Sequence, residues 1–198
     1  MSSRLAPALA GVFVFVAIGP ARGSVIQTEV SPINGHTYHL LSPNTWTGSE
    51  AEAEALSKHA HLATVRGQSE NDWIWDTFKG SFPDYRFGVR YLWIGLSRSS
   101  LDGAFTWASG EPVTYTNWDG AQPSSGYDGG LPELYAQMGY YDLANWNDAP
   151  DNFLQIVPDH SYELAGVVEV VPEPSAIMLF AIGGLIIVAC GRWSRRRS

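Results

Sequence analysis

The segment "LANWNDAPDN", residues 143–152, sets three side-chain amides and two carboxylates around Trp146 and follows neither a helical nor a strand period. Asn and Asp form turns by hydrogen-bonding their own backbone, so a polar turn is the plain reading. The other chemistry open to so many oxygen atoms in an acidic chain is to hold a cation. Competing constellations are weaker. His59 and His61 lie two apart, but neither a cysteine nor a third ligand in register completes a zinc site. Asp148 and Asp151 have the residue types for acid and base work on a glycoside, yet sequence spacing does not set the separation that reaction needs. The chain lacks a Gly-x-Ser-x-Gly elbow, and Ser69 in "GQSEN" reads as a helix cap. Dinucleotide and P-loop glycine patterns are absent. The residues point to a binding protein and not to an enzyme.

The two ends say where such a site would work. Residues 1–23 carry Arg4, then an uncharged run from Leu5 to Ala21, then the small-x-small triplet Ala21, Arg22, Gly23. That pattern predicts a secretory signal peptide cleaved near Gly23. At the other end Ser175 to Gly191 is uncharged and, at 1.5 Å per residue, spans roughly 25 Å as a helix, slightly short of a bilayer core. Arg192, Arg195, Arg196 and Arg197 would keep the tail in the cytoplasm. Pro172, Glu173 and Pro174, the apolar segment and the arginine cluster, in that order, resemble the PEP-CTERM sorting signal of Gram-negative bacteria. The resemblance implies an exosortase-type processing protease as a partner and delivery to the cell surface or an exopolysaccharide matrix. A plain membrane anchor at residues 175–191 is the alternative.

Between the ends lie about 150 residues, one domain's worth. The whole chain has 12 basic and 20 acidic residues, and six of the basic ones sit in the terminal segments. Six basic against 20 acidic residues leaves a net charge of about -14 for the middle, which argues against a nucleic-acid partner. The single cysteine, Cys190, falls in the apolar tail, so stability must come from apolar burial without a disulfide. Seven of the eight tryptophans lie in the domain to provide it.

Thr37 to Leu41 reads as a first strand. Ser49 with Glu52 forms a capping-box pattern, predicting a helix to about Lys58. "HLATV" is short and extended, and a second helix is expected from Ser69, with Trp73, Ile74, Trp75 and Phe78 as its apolar stripe. "YLWIGL", residues 91–96, is a continuous apolar run suited to a central buried strand. "AFTW" follows a turn at Asp102 and Gly103. From Ser109 to about Ser161 the pattern fades into Gly, Pro, Asn and Asp with scattered aromatics, a long ordered loop region. "LAGVVEVV", residues 164–171, closes the domain as a strand. Two helices, strands at both ends and a long loop make an α+β fold.

"GHTYHLL", "AHLATV", "WIGL", "DGAFTWASGEPVTYTNWDGAQP", Met138, "WND" and the final "GVVEV" occur in an order that resembles a C-type lectin domain across nearly all of residues 35–171. The resemblance implies two helices flanking a small antiparallel sheet whose first and last strands pair. It also implies a long loop that holds Ca²⁺ with two sugar hydroxyls completing its oxygen shell. It assigns Gln122, Glu133, Asn147 and Asp148 as metal ligands, and Gln122, Ser124, Glu133, Asn147 and Asp148 as the carbohydrate-binding set. Ser124 stands where the family has Asn or Asp, a position that Ser124, water or Asp128 could serve. The expected organisation is a signal peptide at 1–23, the lectin-like domain at 24–171 and the sorting signal at 172–198. The expected function is an exported, calcium-assisted glycan-binding or exopolysaccharide-binding protein. Its alternative is a calcium-independent structural or protein-binding domain with Trp118, Tyr127 and Tyr140 at the interface.

Overall fold

The computed structural model describes residues 24–81, 91–139, 143–151 and 164–172. The signal peptide, Glu173, Pro174 and the apolar tail expected from the sequence lie outside them. No described helix is long and apolar enough to cross a membrane.

Strand β4 (Tyr91–Ser97) is the centre of the molecule, and all but its last residue are buried. Its residues alternate between two cores: Leu92, Ile94 and Leu96 enter one, Tyr91 and Trp93 the other. A strand covered on both faces needs no polar side, which is why this segment is continuously apolar. Around it run β1 (Val25–Val30), β2 (Thr37–Pro43), β10 (Leu164–Val170), β8 (Tyr135–Met138) and β9 (Trp146–Ala149), in the sheet order β1-β2-β10-β4-β8-β9. Short strands β3 (Ala60–Leu62) and β5 (Thr106–Trp107) pair with β10 and β4, and β6 (Tyr127–Asp128) and β7 (Leu131–Pro132) form a separate hairpin. As expected, the Thr37 strand pairs antiparallel with the last strand. The sheet is mixed and not wholly antiparallel, because β10 and β4 run parallel from Leu164↔Tyr91 to Gly166↔Trp93.

Helix α1 (Trp46–Leu56) covers one face and α2 (Gln68–Phe78) the other. The capping-box reading misplaces the N-cap of α1 by four residues. Thr45 is the N-cap, its side chain accepting from the Gly48 N–H at 3.0 Å, and Ser49 lies inside the helix, fully buried. Packing decides that position: a Cβ on Gly166 of β10 would come within 2.6 Å of the Ser49 Cβ, so helix and strand touch where both residues are small. A second close approach explains Gly95, whose added Cβ would fall 2.2 Å from the Leu62 carbonyl oxygen. Helix α2 starts after Gly67, which makes no side-chain cap bond. Its buried Glu70 reaches back to accept the Arg66 N–H at 2.7 Å. Ser69 is therefore not the cap.

The region read as one long loop contains β8 and β9. They are short, and inside the ladder they carry Gln137, Asn147 and Asp148, all buried. Polar residues at core positions hide a strand from any reading based on apolar alternation. Strand β1 was also missed. Five of its six residues are exposed, so it has no apolar face to announce it.

Candidate functional site

Trp146 fixes the site's foundation. It is fully buried, and its indole N–H donates to Asn71 Oδ1 of α2 at 2.7 Å. The edges of Trp107, Tyr115 and Trp118 pack around it with ring centroids 5.7 to 5.9 Å away. The Trp146 N–H donates to the Asn117 carbonyl at 2.8 Å, and its carbonyl accepts from the Asp119 N–H at 2.9 Å. The chain leaving Asp119 is thus delivered alongside β9, and a turn from the Gln122 N–H to the Asp119 carbonyl opens the 122–126 loop. The Gln122–Pro123 bond in that loop is cis.

Asp148 lies two residues after Trp146, on the same face of β9, and is fully buried. Its Oδ1 accepts the Ser124 N–H at 2.8 Å, and its Oδ2 accepts the Ser125 N–H at 3.1 Å and the Arg98 guanidinium at 2.7 Å. Glu133 Oε2 accepts the Ser124 hydroxyl at 2.5 Å and the Gly126 N–H at 3.0 Å. Three successive amides therefore point at two carboxylates. Ser125 has φ +54, the left-handed conformation by which consecutive N–H groups form an anion-binding concavity.

The structure brings Ser124, Glu133 and Asp148 together. Gln122 shares their loop, and its buried Oε1 has no hydrogen-bond partner. Asn147 is set apart. It pairs with Gln137 across the ladder while Asp148 pairs with Ala136, so the pleat directs their side chains to opposite faces. Asp128 lies on the β6–β7 hairpin, next to Tyr127, which is 68% exposed. Asp151 is engaged elsewhere, accepting the Thr47 N–H and hydroxyl at 2.8 and 2.7 Å, so the two aspartates face different partners. His61 turns its Nδ1 to the Leu62 carbonyl oxygen. Trp118 packs at a tilt against Phe105 on the core, centroids 4.9 Å apart, and Tyr140 lies outside the described residues. Burial, followed by the charge of Asp151, raises the Tyr135 phenol above its ordinary range.

Sequence reasoning missed Arg98. A single basic residue after a buried strand reads as the strand's solvent end, but this one is 6% exposed. Besides Asp148, its guanidinium donates to the Glu133 carbonyl at 2.7 and 3.2 Å, the Leu101 carbonyl at 3.0 Å and Ser125 Oγ at 2.8 Å. The ring of Phe105 lies against it, 4.6 Å from centroid to Cζ.

The lectin C-type domain model matches residues 42–156, more than half of the chain. The chain belongs to the C-type lectin domain family. C-type lectin TsL of Trimeresurus stejnegeri is 29% identical over 137 residues, 68% of this chain and 82% of that protein. Halomucin of Haloquadratum walsbyi is 28% identical over 143 residues, 64% of this chain but 1% of that protein. Among solved structures, C-type lectin CEL-I from Cucumaria echinata aligns with a TM-score of 0.56 at 22% identity, covering 78% of this chain and 98% of that one. Human lithostathine aligns with a TM-score of 0.57 at 20% identity, covering 80% and 99%. These likenesses carry the fold.

C-type lectin domains commonly bind Ca²⁺, which takes six to eight oxygen ligands at 2.3–2.6 Å. The arrangement around Asp148 does not fit that demand. Both Asp148 oxygens already accept donors, one of them a cation. A divalent ion on the same carboxylate would stand near the guanidinium, where even unit charges 4 Å apart repel by about 4 kcal/mol at an effective dielectric of 20. Among the described residues no group of three or more His, Cys, Asp or Glu is disposed to hold a metal.

Proposed function

We propose that the protein is an exported, non-enzymatic glycan-binding domain whose ligand docks on the rim formed by the 122–126 loop, Glu133 and the β6–β7 hairpin. The observation that carries this reading is the convergence of the Ser124 hydroxyl and the Glu133 carboxylate, 2.5 Å apart, with exposed Tyr127 following Gly126, whose N–H the same carboxylate accepts. Sugar hydroxyls exchange hydrogen bonds with such groups, and the C–H face of a pyranose packs on an aromatic ring, the usual mixture of apolar surface and a few placed polar atoms. Gln122 shares the loop, but its unpartnered carbonyl oxygen is buried and would reach a ligand only after its side chain turns outward. Asp148 and Asn147 are buried and serve from behind, Asp148 by holding the Ser124 and Ser125 amides in place. The family's character as lectins supports the same reading.

The domain is taken as residues 24–171, exported by the segment 1–23. Pro172, Glu173 and Pro174 would be read by an exosortase-type protease, and residues 175–191 would cross the membrane before or instead of release. Surface or matrix exopolysaccharide is then the ligand at hand. Screening the full chain against a glycan array and purified bacterial exopolysaccharides tests the binding. Tyr127→Ala and Glu133→Gln should each weaken the best ligand about tenfold, roughly 1.4 kcal/mol. Unchanged affinity in both variants would move the site elsewhere. A protein-binding role is favoured by one observation, the apolar exposure of Tyr127 and Leu131 on one hairpin. It would show as loss of a protein partner in Tyr127→Ala with no glycan bound by the parent chain.

A further inference from the structure

We propose that the Arg98 guanidinium is the resident cation of the Asp148 site, so that the 122–126 loop is held, and its ligand bound, without calcium. The part of this inference that concerns the ligand rests on the glycan reading; the part that concerns the loop does not.

The geometry is that of a cation site already filled. Four oxygens surround the guanidinium: Asp148 Oδ2, the Glu133 and Leu101 carbonyls and Ser125 Oγ, all with contacts of 2.7 to 3.0 Å. These are carboxylate, carbonyl and hydroxyl donors, the types a hard metal ion would take. The Phe105 ring closes one side at 4.6 Å and supplies the electron-rich face that a cation prefers. Arg98 and Asp148 have side-chain exposures of 3% and 0%, so water does not screen the pair. An arginine at this position is always charged and presents a planar fork to several acceptors at once. It performs the organising task of a bound ion, drawing β4, β9, the 122–126 loop and Glu133 to one point, and its presence does not depend on calcium concentration.

Charge count agrees. With Arg98 paired to Asp148, Glu133 is the one remaining formal charge of the expected ligand set, because Gln122, Ser124 and Asn147 are neutral. Calcium affinity follows the charge of the donor set, and one carboxylate with neutral oxygens is a poor offer.

The test is thermal unfolding of the full chain with excess calcium chloride and with chelator, read beside glycan binding in the same two buffers. The expected result is one unfolding midpoint in both buffers for the parent chain. A saturable upward shift of several degrees with calcium that disappears in Asp148→Asn would overturn the proposal. Arg98→Gln supplies a second arm, since it leaves Asp148 without its cation. If that variant folds, a lowered midpoint that calcium partly restores supports the proposal, and an unchanged midpoint in both buffers overturns it. If it does not fold, the parent chain's two midpoints decide. Calcium-insensitive unfolding with no glycan bound would sink the glycan reading and leave Arg98's role standing. Glycan binding that vanishes with chelator would do the reverse.

Discussion

Two arginines organise this acidic domain, and they do so differently. Arg66 is 30% exposed and ties three elements together, contacting Glu70 of α2 at 3.0 Å, Glu169 of β10 at 2.9 Å and Glu111 at 2.6 Å. Its buried carboxylates have other donors. Glu70 accepts the Tyr38 hydroxyl at 2.6 Å and the Asn34 amide at 3.0 Å, while Glu169 accepts from His36 at 2.5 Å and from the Thr64 N–H at 3.1 Å. Burial, with the charges of Glu169 and Glu70 behind it, pushes the Tyr38 phenol far above its ordinary range and keeps it a donor. Arg98 serves a single carboxylate, and among the described residues it is the one charged partner Asp148 has. The first cluster gathers three carboxylates on a half-open arginine and holds the framework; in the second, Asp148 keeps the Ser124 and Ser125 amides but has one charged partner, shut away from water, and the pair holds the 122–126 loop. Water can reach the gap left by a half-open arginine, whereas a carboxylate that loses its one counter-charge inside the protein has only its amide donors to hold it.

The largest effect should therefore come from Arg98→Ala. Stranding a buried charge costs about 3–5 kcal/mol, and for a domain of this size that lowers the melting temperature by roughly 10 °C. Denaturant unfolding checks the free energy. Removing both charges together, with Arg98→Met and Asp148→Asn, should recover part of the loss, because no ion is then left unpaired. A double variant no better than Arg98→Ala would mean that the arginine contributes through packing on Phe105 and not through charge.

How far these clusters can be read from sequence differs in the same way. The central strand was legible as an unbroken apolar run of strand length, and the second helix and the closing strand because their apolar residues obey one period. Ser124, Glu133 and Asp148 were named through family resemblance, and their side chains lie together in the fold. Arg98 was not legible, since its partners Ser125, Glu133 and Asp148 lie 27, 35 and 50 residues away in segments with no periodic pattern. Nor was the Arg66 cluster, whose contacts to Glu111 and Glu169 span 45 and 103 residues. Nothing local marks a charge as buried. The capping-box error at Ser49 has the same origin, a local rule displaced by a contact with Gly166 more than a hundred residues on.

Arg66→Ala should cost less than Arg98→Ala, about 2 kcal/mol, because the remaining donors keep Glu70 and Glu169 satisfied and water reaches the gap. Chemical denaturation of both variants under one buffer gives the ranking. An Arg66→Ala loss equal to or larger than that of Arg98→Ala would break the distinction between a half-open arginine and a buried pair.

The smallest effect sharpens the comparison most cleanly. Glu111 has a 40% exposed side chain, and its hydrogen bond to Arg66 holds its carboxyl below the ordinary value of 4.5 despite partial burial. A depressed folded-state pKa stabilises the fold above the unfolded value, and that contribution is lost as pH falls through the folded value. Glu111→Gln should thus cost under about 1 kcal/mol at neutral pH and low salt, with the deficit relative to the parent shrinking below pH 4.5 and vanishing in stronger acid. About 1 M salt, where the screening length is near 3 Å, should erase the same deficit at pH 7. The Arg98–Asp148 coupling, shut away from solvent ions, should survive that salt almost intact. A Glu111 effect that resists salt as well as Arg98 does would show that exposure does not separate the two clusters, and the protein's loop would then be no more insulated than its frame.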